Sequence, residues 1–324
     1  MASPDGRHDA RTPPPAEGSR VPWSAIPAPL RAAVERRLGG RVVTAITQPG
    51  GFSPGVAARL RLDDGRRAFV KAVGDINPDS PGIHRAEARI AAALPPGTPA
   101  PRLLSCIDAD GWVILMLEDI EGRTPAIPWR PTELDRVLAA MTELAAALTP
   151  APIEAPAIAG RFRSLGRGWR ELAKSGPAAA AALGPWAAHL DELVALESGW
   201  AAAASGNSLV HADIRADNIL LTPDRVVFVD WPWAALAAPW FDLVVMLPSV
   251  AMQGGPQPEE ILGSHPVMRG ADPAAITAVV GALAGMFVWL GGRPDPPGLP
   301  TLRAFQRAQG EVALAWLRQR TGWP

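Results

Sequence analysis

The sequence predicts an α+β fold of two lobes, in which a small antiparallel β-sheet lobe with one helix precedes a larger, mainly helical lobe. The first observation is that short apolar runs, separated by Gly, Pro and Asp turns, occupy most of the first third of the chain. The second is that Ala- and Leu-rich patterns of helical period follow from about Pro131. The third is a single short β unit, Leu209 to Asp230, which interrupts the helical part.

The N-terminal part contains a short helix, several strand candidates and a longer helix. The short helix is expected over Pro29–Leu38, because the pair Gly39-Gly40 ends it. The longer helix begins at Ser80-Pro81, with Ser as the cap and Pro in the first turn, and extends to about Leu94. The strand candidates are Arg41–Thr47, Val56–Leu62, Arg66–Val73, Arg102–Ile107 and Trp112–Leu117.

The C-terminal part is expected to begin after a linker, Glu118–Thr124. Long Ala/Leu-rich patterns predict helices over Pro131–Leu148 and Pro185–Ala204, and more helices follow from Asp242 to the end. Residues 1–21 are rich in Pro, Ser, Gly, Asp and Arg and have no apolar stretch. We therefore expect a disordered tail there, and not a secretory signal.

The composition narrows the possible partners. The 324 residues are 48% apolar and 19% charged with a net charge of −1, which predicts neither nucleic acid nor an acidic membrane as a partner. Cys106 is the only cysteine, which excludes an intrachain disulfide and a cysteine-based zinc site and fits a cytoplasmic location. The apolar stretch Ala274–Leu290 is near the lower limit for a membrane span. Asp272-Pro273 before it and Gly291-Gly292 after it favour a buried helix of the helical lobe.

The strongest local signal is a group of Asp and Asn residues around the short β unit. The segment His211–Asn218 precedes an expected hairpin, Ile219–Val229, and Asp230 follows it. Pairing of the two strands places Asn218 opposite Asp230, one short loop after Asp213. Hard oxygen ligands of this kind suit Mg²⁺, which takes one or two protein groups together with phosphate oxygens.

These residues resemble the catalytic loop of the protein-kinase-like superfamily, because Asp213 and Asn218 have the spacing of its Asp and Asn and a metal-binding Asp follows on a strand. The form His-x-Asp, with Asp230-Trp231 downstream, is more similar to the aminoglycoside phosphotransferase and choline kinase branch than to the protein kinases. The resemblance implies a two-lobed protein-kinase-like fold. Residues 22–118 would form the nucleotide-binding lobe, and residues 119–324 the catalytic and acceptor-binding lobe.

The resemblance also assigns roles. Asp213 would orient and deprotonate the acceptor hydroxyl, and Asn218 and Asp230 would hold the metal. Ala212 replaces the glycine that is common in this branch. Arg215 stands where many members have His or another polar residue, and either a contact with the γ-phosphate or an ion pair with the nearby Asp217 would explain it.

Two further residues of this segment are expected to support the loop. In the family the histidine at the position of His211 usually packs and hydrogen-bonds to brace the loop, and we expect bracing here in preference to general-base catalysis. Asp242 resembles the family aspartate that opens a helix beneath the catalytic loop, and capping of backbone N–H groups is enough to explain it.

The donor side of the predicted site depends on Lys71. Lysine occurs only at positions 71 and 174 among 31 basic residues, which suggests a role that arginine does not fill. The hairpin register puts Lys71 near Ala57 and Ala58, just after the Gly-rich loop, where it can offer a point charge to phosphate oxygens. Glu87 lies in the middle of the next helix and matches the helix glutamate that pairs with the strand lysine of the family.

The rest of the donor site is expected on backbone groups. Gly51 and Ser53 lie in the loop Gly50–Gly55, whose N–H groups would contact the phosphates, although a plain hairpin loop looks similar. Met116, Glu118 and Ile120 would belong to the hinge that binds the base. The cofactors implied by the resemblance are ATP or GTP and Mg²⁺.

The acceptor is expected to be a small molecule. The acidic residues after Asp230 balance the basic ones, which favours a neutral or amphiphilic acceptor, such as an antibiotic or another glycosylated or nucleoside natural product, over a polycation. A kinase of a primary metabolite and a catalytically inactive binding protein of the same fold remain open. A protein kinase is disfavoured, because no Ala-Pro-Glu segment follows Asp230. A monomer and a homodimer are both compatible with the sequence.

Overall fold

The computed structural model describes residues 12–74, 77–176 and 183–323. The predicted α+β fold of two lobes is confirmed. The N-terminal lobe consists of helix α1 (Ala28–Leu38), a five-stranded antiparallel sheet and helix α2 (Ser80–Ala93). The strands are β1 (Val42–Thr47), β2 (Val56–Leu62), β3 (Arg67–Val73), β4 (Leu103–Ala109) and β5 (Trp112–Leu117), in the spatial order β1-β2-β3-β5-β4.

The two faces of this sheet bury different clusters. One face, which includes Val70 and Met116, packs in one cluster with Leu30 and Val34 of α1. The opposite face, which includes Val73, packs against α2. Because side chains alternate along a strand, Lys71 lies on the α2 face. It pairs with Ala57 of β2, as the hairpin predicts, and so lies just beyond the Gly-rich loop that precedes β2.

The C-terminal lobe is mainly helical and carries two pairs of short strands. The helices are α3 (Pro131–Ala147), α4 (Ile158–Arg161), α5 (Gly168–Lys174), α6 (Leu190–Ala203), α7 (Phe241–Met252), α8 (Pro258–Leu262), α9 (Pro273–Gly291) and α10 (Leu302–Thr321). Strand β6 (Ser208–Val210) pairs with β9 (Ala235–Ala237), and β7 (Ile219–Leu221) pairs with β8 (Val226–Phe228). The helix predicted over Pro185–Ala204 is a 3₁₀ segment, Gly184–His189, followed by α6.

The segment between the lobes is hydrogen-bonded to the hairpin β7–β8. The amide of Arg123 donates to the carbonyl of Leu221 at 3.1 Å, and the amide of Leu221 donates back at 2.7 Å. The amide of Phe228 donates to the carbonyl of Pro99 at 2.8 Å. The hairpin that carries the predicted metal ligands is therefore attached to the N-terminal lobe as well as to its own.

Helix α9 is the central helix of the C-terminal lobe. Among the described residues it is the one helix long and apolar enough to cross a membrane by length and composition, and 61% of its apolar window is buried inside the protein. Its N-terminus is capped by Asp272, which accepts from the amide of Ala274 at 2.9 Å. The indole N–H of Trp169 donates to the carbonyl of Gly281 at 2.7 Å. These contacts make α9 a packed core helix, as its flanking residues predict.

The described part of the predicted N-terminal tail is ordered, which corrects the expectation for residues 12–21. The amide of Ser19 donates to the carbonyl of Gly298 at 2.7 Å, and the amide of Gly55 donates to the carbonyl of Ser19 at 2.9 Å. The composition of this segment gave no sign of these contacts, because each partner is far away in the sequence. Residues 1–11 lie outside the described residues.

Candidate active site

The predicted catalytic loop connects β6 to β7. It contains His211 to Arg215 and a 3₁₀ turn, Ala216–Asn218, that leads directly into β7. The observed pairing Ile219↔Phe228 shifts the predicted register by one residue, so that Asn218 lies opposite Val229, whose amide donates to the Asn218 carbonyl at 2.9 Å. Asp230 is the next residue. The predicted residues of the loop and of the hairpin therefore meet at the open end of the hairpin.

Arg215 forms ion pairs with two aspartates. Its Nη1 donates to Oδ1 of Asp213, and its Nε and Nη2 donate to the two carboxylate oxygens of Asp217 at 3.1 and 2.9 Å. The ion pair with Asp217, one of the two explanations considered for Arg215, is present. These bonds use three of the five N–H donors of the guanidinium, and Arg215 fixes the position of the Asp213 carboxylate.

Asp213 is a half-buried carboxylate in a polar environment. Burial raises its pKa to about 7; Arg215 acts in the opposite direction, and the neighbouring carboxylates of Asp217 and Asp230 add to the increase. About a quarter of the side chain, 24%, stays exposed. A carboxylate with a pKa near neutral and an open side has the properties of a general base.

Asn218 and Asp230 fit a divalent metal. The Asn218 side chain is buried and its Nδ2 donates to the Asp213 carbonyl at 2.8 Å and to Oδ2 of Asp213 at 3.2 Å, which directs Oδ1 away from them. Asp230 uses Oδ1 to accept from Lys71. The described residues contain no group of three His, Cys, Asp or Glu that would enclose a metal by themselves. Two oxygen donors without a complete cage suit Mg²⁺ that also binds substrate phosphates.

His211 braces the loop. The side chain is fully buried, its Nε2 is 2.9 Å from the carbonyl of Val229, and its Nδ1 accepts from the amide of Asp213 at 3.2 Å. This arrangement assigns the proton to Nε2. Burial lowers the pKa of His211 to about 4, so the ring is neutral at physiological pH. Both ring nitrogens are used internally, which agrees with bracing and leaves neither free to act as a base.

Asp242 supports the loop from below. Its carboxylate accepts from the amides of His211 at 2.8 Å and Ala212 at 2.6 Å. These are amides of the catalytic loop and not of its own helix α7, which corrects the expectation of a helix cap. Ala212 has φ of +65° and Asp230 has φ of +69°, both in the left-handed region that glycine prefers. The left-handed conformation of Ala212 explains why glycine is common at this position in the aminoglycoside phosphotransferase and choline kinase branch.

On the donor side, Lys71 links both lobes. Its Nζ donates to Oε2 of Glu87 at 2.6 Å and to Oδ1 of Asp230 at 2.7 Å. Burial opposes the charged form of Lys71, but the carboxylates of Asp230 and Glu87 outweigh it and raise its pKa. Burial raises the pKa of Glu87, whereas Lys71 lowers that of Asp230 against the effect of burial. The carboxylate of Asp230, at the predicted metal position, therefore stays ionised at neutral pH.

The Gly-rich loop is positioned by the N-terminal segment. The amide of Gly51 donates to the carbonyl of Ala16 at 2.8 Å, so it does not point toward a ligand. The carbonyls of Gly50 and Ser53 accept from the guanidinium of Arg20. Among the described residues the amides of Phe52 and Ser53 have no hydrogen-bond acceptor. The amides of Phe52 and Ser53 are therefore open to a ligand, whereas that of Gly51 is not, and phosphate binding by this loop stays a prediction.

Several backbone groups of the predicted hinge are already hydrogen-bonded inside the protein. Met116 is fully buried on the sheet face opposite Lys71, and its backbone lies within the ladders to Val70 and Ser105. The carbonyl of Ile120 accepts from Gly122 at 2.9 Å and from Arg59 at 2.9 Å. The Met116 backbone and the Ile120 carbonyl are therefore not available to a base, and the base-binding role of the hinge stays a prediction. Glu118 lies at the end of β5, and its amide donates to Arg102 at 2.9 Å.

Sequence reasoning missed three titratable residues of the site. Asp217 appeared only as an alternative partner of Arg215, and Arg20 fell in the predicted tail. His84 is buried one helical turn before Glu87, and burial together with the nearby Lys71 lowers its pKa to about 4. The helical spacing from Glu87 could have placed His84 on the same face. No local signal could have found Arg20.

The chain matches a known protein family in sequence and known kinases in fold. The model of the phosphotransferase enzyme family matches residues 52–275. A thermostable mutant of the aminoglycoside phosphotransferase APH(4)-Ia, in a ternary complex with ADP and hygromycin B, is similar with a TM-score of 0.60 and 15% identity over 90% of this chain and 99% of that one.

Two kinases of other small molecules have similar folds. A choline/ethanolamine kinase family protein from Mesorhizobium loti has a TM-score of 0.54 and 19% identity over 91% of this chain and 95% of that one. Choline kinase LicA from Streptococcus pneumoniae has a TM-score of 0.53 and 13% identity over 89% and 100%. No curated protein sequence matches the chain.

Proposed function

Because the chain belongs to the phosphotransferase enzyme family, we propose that it transfers the γ-phosphate of ATP or GTP to a hydroxyl group of a small molecule. The observation that carries this proposal is the contact of Lys71 with both Glu87 and Asp230. This contact brings the donor side of the N-terminal lobe to the hairpin that carries Asn218. An inactive binding protein would have no need of this complete set.

The proposed reaction divides the charged groups between acceptor and donor. Asp213 accepts the proton of the acceptor hydroxyl, while that oxygen forms a bond to the γ-phosphorus and the bond to the bridging oxygen of the nucleotide breaks. Asn218 and Asp230 would hold Mg²⁺, which supplies positive charge to the donor phosphates when it is bound. Lys71 uses two of its three N–H donors for Glu87 and Asp230, which leaves one for a phosphate oxygen.

The acidic residues of the C-terminal lobe support a neutral or amphiphilic acceptor. A polycation such as an aminoglycoside needs several carboxylates that are free to face it. Of the six acidic residues after Asp230, five already accept hydrogen bonds from the protein, and Glu311 is the one for which none is found among the described residues. The five are Asp242, Glu259, Glu260, Asp272 and Asp295.

Tryptophan and arginine residues of the same lobe fit such an acceptor. The guanidinium of Arg161 lies 5.1 Å from the ring centre of Trp233, and that of Arg293 lies 4.9 Å from the ring centre of Trp289. These surfaces combine apolar area with hydrogen-bond donors. We therefore favour a glycosylated or nucleoside natural product, including an antibiotic, as the acceptor class. A primary metabolite of similar chemistry is the second candidate.

The test is a panel of neutral, anionic and polycationic hydroxyl compounds incubated with MgATP or MgGTP. Mass spectrometry should detect the addition of one phosphoryl group to neutral or amphiphilic members, and kanamycin-like polycations should react poorly. Asp213→Asn should slow product formation by about 10²–10⁴-fold, whereas Asp224→Asn, in the exposed turn between β7 and β8, should leave it unchanged. Efficient phosphorylation of several polycations would refute the acceptor class. No nucleotide consumption with any compound would refute the proposed function.

A further inference from the structure

The N-terminal segment Ala16–Val21 lies against the Gly-rich loop along its length. The segment and the loop form two parallel bridges, Glu17↔Gly51 and Arg20↔Gly55. The amides of Gly51 and Gly55 donate to the carbonyls of Ala16 and Ser19 at 2.8 and 2.9 Å. This segment precedes the part of the chain that the family model matches, residues 52–275. The segment therefore reaches the Gly-rich loop from outside the part of the chain that the family model matches.

Arg20 makes the closest contacts between the segment and the loop. Its Nη1 donates to the carbonyl of Ser53 and its Nη2 donates to the carbonyl of Gly50. A Cβ atom on Gly51 would lie 3.1 Å from Nη2, so the guanidinium sits directly against the loop backbone. When the carbonyls on both sides of Phe52 are held in this way, the loop has a defined shape and the amides of Phe52 and Ser53 are left for a ligand.

Arg20 is a partly buried cation at the Gly-rich loop. Burial lowers the pKa of Arg20, and the carboxylates of Asp230 and Asp217 act in the opposite direction. Its Nε is buried and has no hydrogen-bond partner among the described residues. The donor side therefore has Arg20 as a second cation besides Lys71, and the two carbonyl bonds leave three of the five N–H donors of its guanidinium unused. An anionic phosphate is the chemistry that such a group fits.

The segment is also anchored to the C-terminal lobe. The amide of Ser19 donates to the carbonyl of Gly298 at 2.7 Å, and the amide of Glu17 donates to Oγ1 of Thr301 at 3.1 Å. Phe52, at the tip of the loop, packs edge-to-face on Phe305 with ring centres 5.2 Å apart. Arg20 is therefore held from both lobes, and its position does not depend on the loop alone.

We propose that Arg20 is a positioning residue of the donor site, which holds the loop Gly50–Gly55 in the form that binds the nucleotide polyphosphate. The inference rests on the proposed function, because it assumes that this loop binds a nucleotide. It adds a residue from outside the matched family region to the donor machinery. Arg20 acts through the loop backbone and through its charge near the phosphates.

The test measures nucleotide affinity by calorimetry in Arg20→Met, Arg20→Lys and Arg66→Met. Arg66 is a matched control, because its guanidinium also donates to two backbone carbonyls, those of Leu38 and Gly39, at 2.8 and 2.9 Å. Arg20→Met should weaken MgATP binding about tenfold or more, because a charge-assisted contact is lost. Arg20→Lys should keep part of the affinity, and Arg66→Met should stay within about twofold of wild type.

AMP separates a local effect on the phosphate loop from damage to the whole lobe. Arg20→Met should weaken the binding of AMP much less than the binding of MgATP, since AMP lacks the outer phosphates. Gly18→Val provides a second route that leaves Arg20 intact: a Cβ on Gly18 would lie 3.1 Å from the carbonyl oxygen of Gly51, so the segment must move away. This variant should also lower the affinity for MgATP.

Equal MgATP affinity of Arg20→Met and wild type would overturn the inference, and so would equal losses for MgATP and AMP. If Arg20→Met does not fold, unchanged MgATP affinity in Gly18→Val would overturn it. A wild-type protein that binds no MgATP would instead contradict the proposed function, so the two failures are distinguishable.

Discussion

At the residue scale, the ion pair between Asp213 and Arg215 sets the pH at which the proposed base acts. Burial raises the pKa of Asp213 to about 7, and Arg215 limits the increase. The base must be deprotonated, so kcat/KM should increase as pH rises through about 7 and reach a plateau above it. We therefore expect kcat/KM to fall when the pH is lowered below about 7.

Removal of Arg215 should shift the acidic limb of the kcat/KM–pH profile to higher pH. In Arg215→Met the neighbouring cation is absent, so the pKa of Asp213 rises further and the midpoint should shift by about 1 pH unit to higher pH. Arg215→Lys keeps a positive charge and should shift it less. The measurement is kcat/KM against pH for the wild type and both variants. A shift of the limb to lower pH in Arg215→Met would contradict the assignment.

Ala212 adopts a conformation that suits glycine, which yields a stability prediction. Its φ is +65°, and a left-handed conformation costs a non-glycine residue about 1–2 kcal/mol. Ala212→Gly removes this strain but increases the entropy of the unfolded chain by about 0.4–1 kcal/mol. The variant should gain roughly 0.5–1 kcal/mol in the free energy of unfolding, measured with denaturant.

An alanine in an ordinary helical position is the control for this prediction. Ala139 is exposed in the middle of α3, and Ala139→Gly should lose up to about 1 kcal/mol. Equal losses of stability in Ala212→Gly and Ala139→Gly would show that Ala212 carries no strain.

At the element scale, the crossing of α5 and α9 depends on glycine. A Cβ on Gly168 would lie 2.1 Å from the carbonyl carbon and oxygen of Gly285, which are backbone atoms that cannot turn aside. Gly285 itself packs on the ring of Trp169, with 2.5 Å from its ideal Cβ to Cδ1 of the indole. The two helices can approach this closely only because neither carries a side chain at the contact.

Gly168→Ala should therefore destabilise the protein by about 3 kcal/mol or more, because the helices must separate. Gly199→Ala is the matched control: it lies in α6, and a Cβ there meets nothing within 4 Å, so we expect a gain of up to about 1 kcal/mol. Denaturant unfolding of both variants measures the difference. If Gly168→Ala were as stable as Gly199→Ala, the close crossing would be wrong.

The elements were predictable where local patterns decide them. The strands of the N-terminal sheet, the helix after Ser80 and the pairing of Lys71 with Ala57 follow from alternation, caps and one tight turn. The hairpin register was one residue off, because Asn218 ends a 3₁₀ turn and its carbonyl pairs with Val229. The ordered segment around Arg20 could not be predicted, since distant backbone groups hold it.

At the scale of the whole molecule, the candidate site is made where the lobes touch. Lys71 of the N-terminal lobe contacts Asp230 of the C-terminal lobe at 2.7 Å, and Arg123 extends the hairpin of the C-terminal lobe. The motif spacing predicted Asp213, Asn218 and Asp230 because they lie close in sequence. The backbone groups of the hinge could not be assigned in the same way, because their availability depends on partners such as Arg59 and Gly122.

The proposed reaction depends on the assignment of Asp230 to the metal and donor side and of Asp213 to the acceptor side. The measurement that tests it most directly is calorimetric titration of MgATP into wild type, Asp230→Asn and Asp213→Asn, beside single-turnover rates. Wild type should bind ATP only when Mg²⁺ is present. Asp230→Asn should lose affinity for MgATP and activity together, and both should recover in part at higher Mg²⁺. Asp213→Asn should keep nearly normal affinity and lose about 10²–10⁴-fold in rate. Loss of nucleotide binding in Asp213→Asn with unchanged binding in Asp230→Asn would contradict the account.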